Sequence, residues 1–467
     1  MKQAEISIAK SATVRAGAKS AADTGLPIVV VLFILTLVTP LIFSLGPVRL
    51  STYRVLLLIF FFPSLYILFS GKVGKLRAPD YCVMLICFWS SVSLIAHYGI
   101  AEMVEPIGIF LIETMGAYMI GRCYIRTPEA FYKTIKLCFI LVVLVTPFAV
   151  YEAATGNNLL LKMFDMMGRS YADVYKDRRM GLDRVQGPFA HPIHFGVFFG
   201  ALVGVTYYVL GYGRLWIGRA FRTLWVLLIG ALALSSGPLA ALTAQAFFIM
   251  WDGALGRVKS RWYILTGLTG MAYVALDFLS NRNPFEVFIS YLAFNAHTAY
   301  NRILIFEWGT KNIFDNPIFG IGYEPWERLS WMTGSFDMFW LLFPMQHGVP
   351  VLILYFWLFF WLFLKTARAQ ITDPRVSAYR VGYVSTLFGL FMSGWTVHYW
   401  DATFVFFIFL LSSGMWIVNY PTAEQDETVE EEQVPEDGVR YTRFRRPKIT
   451  PPDGLQPAAT MLRGGAR

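Results

Sequence analysis

Apolar runs of about 20 residues, the length an α-helix needs to cross the hydrocarbon core of a bilayer, recur along this 467-residue chain. They fall at roughly 27–46, 52–70, 79–98, 103–120, 133–151 and 192–211 in the first half. The second half adds 221–235, 238–252, 263–280, 338–364, 379–396 and 402–419. The composition agrees, with 56% hydrophobic and only 15% charged residues, where a soluble chain carries about a quarter charged. The expected fold is an all-α polytopic membrane protein with about 12 transmembrane helices.

Basic residues test that division, because cytoplasmic loops collect Lys and Arg. Lys72, Lys75 and Arg77 follow the second run, and Arg122, Arg126, Lys133 and Lys136 surround the join of the fourth and fifth. Arg214, Arg219 and Arg222 follow the sixth, Arg257, Lys259 and Arg261 the eighth, and Lys365, Arg368, Arg375 and Arg380 the tenth. The pattern closes with both termini cytoplasmic. The stretch 336–366 is too long for one helix and holds Pro344 and Pro350, each of which removes a backbone donor. It reads as a short interfacial or re-entrant piece at 337–347 followed by one span. The formal net charge of +9 follows from this loop topology. The cations form no continuous face, so no nucleic-acid partner is expected. Cys82, Cys87, Cys123 and Cys138 lie in or beside apolar runs without metal-ligand spacing, as core filler.

Three regions follow. Residues 1–26 form a polar N-terminal tail without a signal-peptide cleavage site, and 27–420 hold the membrane domain. Residues 421–467 form a tail with an acidic block (Glu424 to Asp437) and then a basic one (Arg440 to Lys448), a composition expected to be disordered. Two loops on the extracytoplasmic side stand out by length, about 152–191 and 281–336, and long loops in compact proteins are usually functional.

Those loops concentrate the polar residues. The first, KDRRMGLDRVQGPFAHP, supplies Arg178, Arg179, Arg184 and His191, with His194 one turn into the next helix. The second supplies Arg302, Glu307, Lys311 and Arg328. Lying on one side, their cations can converge on a single anion. Arginine suits a phosphate or diphosphate because its planar fork donates two parallel hydrogen bonds. TAYNRILIFEWGTKNIFDNP reads as a helix that places Ile305 and Phe306 on the face of Arg302, so Arg302 needs a partner, either a carboxylate such as Glu307 or a ligand. Asp337 has two readings, a helix cap before Met338 or an active-site carboxylate. His398 and Asp401, in the turn VHYWDAT, are possible substrate contacts near the same cavity. Arg54 is an ion-pair partner for Glu105 or Glu113.

R-x-x-G-P-F-x-H-P before a membrane helix, followed by R-I-x-I-F-x-W and NPIFGIG in a large loop, resembles the O-antigen ligase and Wzy-type polysaccharide polymerase superfamily. SFDMFWLLFPMQHGVP looks like the exopolysaccharide-polymerase variant, in which a D-x-F-W-L run replaces the ligases' His-Asn pair. Two positions depart from the family pattern: Gly237 stands where many members have Arg, and Asp337 lies nearest the place of the ligase histidine. The resemblance implies a glycosyltransferase of the bacterial inner membrane, working on undecaprenyl-diphosphate-linked glycan at the outer face, with no metal or cofactor. Other implied partners are the bilayer and polysaccharide assembly proteins such as a flippase or chain-length regulator. Carried over by position, Arg184 and Arg302 would bind the diphosphate, with Asp337, His191 and His194 as catalytic candidates for base or acceptor positioning; Arg178 and Arg179, read from the loop itself, are a solvated basic loop or possible substrate contacts. The alternatives are a ligase transferring glycan to a lipid acceptor, and a transporter or flippase of lipid-linked glycan.

Overall fold

The computed structural model describes residues 25–46, 48–281, 284, 286, 287, 296–418 and 420; the expected tails lie outside them apart from residues 25 and 26. The first half runs α1 (Ile28–Leu37), a hairpin of β1 (Ile42–Leu45) and β2 (Val48–Ser51), α2 (Thr52–Phe69), α3 (Ala78–Tyr98), α4 (Ile100–Tyr124) and α5 (Pro128–Thr155). Then come α6 (Leu159–Asp165), α7 (Pro192–Leu210), α8 (Trp216–Ala231), α9 (Ser236–Ala254) and α10 (Arg261–Leu279). The last group is α11 (Ala296–Asp315), α12 (Phe339–His347), α13 (Val349–Ala367), α14 (Pro374–Gly394) and α15 (Ala402–Val418). Among the described residues seven of these helices are long and apolar enough to cross a membrane: α2, α3, α4, α5, α7, α10 and α13. Helices α1 and α15 are shorter and apolar. The chain is an all-α membrane protein.

Helix α7 occupies the centre. Every residue from His194 to Gly200 is buried, and two glycines explain how it fits. A Cβ at Gly196 would collide with Ala233 and Pro238, and one at Gly204 with the Gly382 carbonyl and Ser385. Small residues at this spacing let helix backbones approach closely where lipid supplies no hydrophobic drive. The first part of α15 is equally enclosed, with Phe406 stacked on Phe198 at 4.0 Å. By contrast no residue of α10 is buried.

Two apolar runs are divided. The run at 27–46 is not one span: α1 stops at Leu37 and the chain enters the hairpin. Pro40 disfavours helical backbone at the residue before it, and Gly46 takes φ 61° at the hairpin turn. The run at 338–364 splits, as expected, into α12 and α13, with the break at Gly348 (φ 84°). The NPIFGIG turn docks on that break: Ile321 N donates to Met345 O (2.8 Å), Gly322 N to Gln346 O (3.0 Å) and Val349 N to Pro317 O (2.7 Å). Gly320 (φ 66°) belongs there because a Cβ would run into the Met345 carbonyl. His347, buried beside this break, has its Nδ1 without a hydrogen-bond partner among the described residues.

The loops that carry the basic clusters are clasped by ion pairs. Arg122 meets the fully buried Asp80 at 3.2 Å, Arg261 meets Asp252 at 2.6 Å and Arg375 meets Glu129 at 2.8 Å. Other connecting segments are joined by backbone hydrogen bonds. Asp183 N bonds Ala153 O, Val185 N bonds Leu232 O, and Phe339 N bonds Val397 O.

Candidate functional site

The first long loop is anchored from beneath by a carboxylate. Glu152, in the last turn of α5 and 1% exposed, receives Lys176 Nζ at 2.6 Å and the backbone amides of Gln186 and Gly187 at 2.9 Å each. Gln186 ties the loop to itself, accepting from Val174 N and donating to the carbonyls of Ala172 and Phe189. Asn158 Nδ2 holds Gly187 O at 2.8 Å. Gly187 has φ 59°, and a Cβ there would strike the Phe195 ring. The segment RVQGPFAHP is therefore a fixed support.

That support presents arginines to the turn between α8 and α9, where Leu234 has φ 46°. Arg184 Nε donates to Ala233 O at 3.2 Å, Arg179 to Leu234 O at 2.8 Å, and Arg302 from α11 to Ser236 Oγ at 2.8 Å. Three guanidiniums from two loops thus converge on residues 233–236. Burial, reinforced by neighbouring Arg179, draws Arg184 down to about 10. Burial likewise draws Arg302 to about 10, against Asp337 and with Arg179. Both stay cationic at neutral pH in a place that disfavours positive charge, which is the setting that favours an anion.

The arginine-to-Glu307 pairing is not formed; Glu307 is exposed. Asp337 is the carboxylate whose charge acts on Arg302. Its cap reading fails, because α12 starts at Phe339 with Met338 at the cap and no side-chain cap bond. Burial raises the Asp337 carboxyl, with Arg302 opposing. Arg178 turns away, paired with Asp183 at 2.9 Å and 66% exposed. Gly237 sits against Thr396 and Val397, where a Cβ would clash, so an arginine cannot occupy this position in this packing.

The three histidines surround Trp400. Ring centroids lie 3.7 Å away for His194, 5.4 Å for His398 and 6.1 Å for His191. His191 caps α7 through Nδ1, which accepts from Ile193 N at 3.2 Å. His194 is sealed at 1% exposure. Asp401 stands apart from the arginines, 3.5 Å from Arg54, whose main partner is Glu113 at 2.7 Å; Glu105 is exposed.

Burial first, then Arg184, Lys176 and Arg179, lowers His191 to about 4, and burial lowers His398 to about 4. Unfolded histidine titrates near 6.5, so between pH 6.5 and 4 the unfolded chain binds protons that the fold refuses. Stability from both groups is complete above pH 6.5 and is lost as pH falls toward 4. Asp337 and Asp401, raised by burial, act with the opposite sign, so a difference measurement is needed. Thermal unfolding of the doubly substituted His191→Asn, His398→Asn protein should lose less midpoint than wild type between pH 7.5 and 5. Equal losses would contradict the assignment.

Ser236, Leu234, Glu152 and Lys176 were not singled out by sequence. Glu152 carried a usable signal, a carboxylate directly at the end of the fifth apolar run, where a charge close to the membrane needs a partner. No protein-family model and no curated protein matches the chain.

Proposed function

We propose that the chain is a membrane glycosyltransferase that lengthens glycan carried on undecaprenyl diphosphate, with twelve crossings and its long loops at the outer face of the bacterial inner membrane. One observation carries this reading: Arg184 and Arg302, both buried and drawn from two different loops, meet at one turn, where Arg184 donates to Ala233 O and Arg302 to Ser236 Oγ, with Arg179 on Leu234 O beside them. Paired guanidinium forks of this kind fit the oxygens of a diphosphate.

In the reaction, the bond from the donor sugar's anomeric carbon to the phosphate oxygen breaks. The guanidiniums stabilise the charge gathering on the departing diphosphate. Asp337, whose raised carboxyl makes it a stronger base than an ordinary aspartate, takes the proton of the acceptor hydroxyl as the glycosidic bond forms. His191 fixes the start of α7 beside the arginines, and its low proton affinity keeps it neutral there. His194 is too enclosed to touch substrate and acts as packing for Trp400. The departure at Asp337 from the ligase histidine supports lengthening of lipid-linked repeats over transfer to a lipid core. The test is whether the purified chain in vesicles lengthens lipid-diphosphate-linked repeats.

A further inference from the structure

A second polar group, around Asp401, has no part in diphosphate chemistry. Tyr53 and Arg54 begin α2, Glu113 lies in the π-helical stretch Ile112–Gly116 of α4, and the turn 398–401 precedes α15. Arg54 Nε donates to Glu113 Oε1 at 2.7 Å, and Arg54 Nη2 lies 3.5 Å from Asp401 Oδ1. Tyr53 Oη is 3.0 Å from Glu113 Oε1 and 3.5 Å from Asp401 Oδ1. A phenol has one proton to donate, so it serves one carboxylate at a time. One guanidinium and one phenol are shared between two carboxylates. With both ionised, two carboxylates face the single guanidinium and the group carries a net negative charge.

The surplus is reachable at Asp401. Side-chain exposure falls from 29% at Asp401 to 19% at Arg54 and 10% at Glu113, so Glu113 forms the back of the site. The neighbouring Trp400 is half-buried. Among the described residues the buried Nδ1 of His398, whose ring stacks on Trp400, has no hydrogen-bond partner. Buried polar atoms in native proteins are nearly always satisfied. A neutral imidazole nitrogen donates or accepts according to tautomer, as a hydroxyl does. The carboxylate surplus rejects a second phosphate, and Arg54 already fills the place between the carboxylates that a cation would take. A neutral ring bearing several hydroxyls fits: hydroxyl donors for Asp401 and an apolar ring edge for the indole.

We propose that the turn 398–401, backed by Tyr53, Arg54 and Glu113, is a binding site for a neutral sugar ring, which donates hydroxyls to the Asp401 carboxylate and lies against Trp400. Read with the proposed function, on which this last step rests, the sugar is the acceptor's terminal residue. His191, whose ring adjoins Trp400 and whose charge state responds to Arg184 and Arg179, connects it to the diphosphate site.

The experiment is saturation-transfer NMR on the full chain in nanodiscs, with neutral methyl glucoside, mannoside and galactoside as probes. Wild type gives transfer to at least one of them, and Arg302→Ala keeps it. Asp401→Asn weakens it about tenfold or more, as expected for loss of hydrogen bonds to a charged acceptor; asparagine has the shape of aspartate and so meets the same backbone (φ 51°, ψ −136°). Glu113→Gln, which leaves the turn untouched and removes the negative surplus, weakens it in the same direction and serves if Asp401→Asn does not fold. No transfer to wild type, or transfer undiminished in the folded variants, overturns the proposal. The diphosphate reading is decided separately, since Arg302→Ala abolishes elongation whichever way the sugar experiment ends. A wild type that binds pyranosides but lengthens nothing keeps the sugar site and loses the acceptor role.

Discussion

Arg302→Ala is expected to reduce chain elongation by about 10²–10³-fold, the cost of removing one preorganised donor from a developing negative charge. Cells carrying it should accumulate single lipid-linked repeats in place of long chains. The size of the effect follows from the setting. Arg302 is buried, held by Ser236 Oγ, and joined by Arg179 and Arg184 at the same turn, so water cannot replace it cheaply. Arg302→Lys should fail nearly as badly, because an ammonium lacks the planar fork that can hold Ser236 and a phosphate oxygen together. The fold should survive, since the substitution removes a buried cation whose own charge is disfavoured there. Chains of normal length in a stably produced Arg302→Ala protein would refute the site.

Glu152→Ala is expected to act through stability. It strips Lys176 of its most buried partner and leaves the amides of Gln186 and Gly187 without an acceptor. Removing one partner of a buried ion pair costs about 3–5 kcal/mol, and the two orphaned amides add to it. The measurable result is a large drop in the thermal midpoint in detergent, or loss of the folded protein from membranes. Glu152→Gln should lie between, because its amide oxygen still accepts from one backbone N–H. A midpoint within a degree of wild type for Glu152→Ala would show that the loop is held elsewhere.

How legible the molecule was in its sequence differs by feature. Membrane-length helices show in hydropathy because lipid and core demand the same apolar surface, and the break at Gly348 shows because Pro and Gly punctuate backbone. The end of α1 is harder to see, since Ile42, Phe43 and Leu45 in the first hairpin strand carry the apolar run on past it. The convergence of Arg184 and Arg302 was readable in advance, because the topology expected from the basic residues puts both long loops on one side. Their meeting point was not. Residues 233–236 carry no charge, and the role of Ser236 depends on a contact 66 residues away in sequence. Asp337 as a cap was a local inference, and it failed because helix α12 begins two residues later, fixed by Phe339 N bonding Val397 O. Arg54 with Glu113 was legible because charges within apolar runs seek each other; the addition of Asp401 needed the fold.

The most direct test of the central claim is elongation by the purified chain, reconstituted in vesicles holding undecaprenyl-diphosphate-linked repeats extracted from cells that lack it. A ladder of longer lipid-linked glycans, released lipid diphosphate in matching amount, and the absence of both with Arg302→Ala are the predicted results. Unchanged repeats, movement of intact repeats across the bilayer without bond formation, or transfer only to a lipid core acceptor would contradict it.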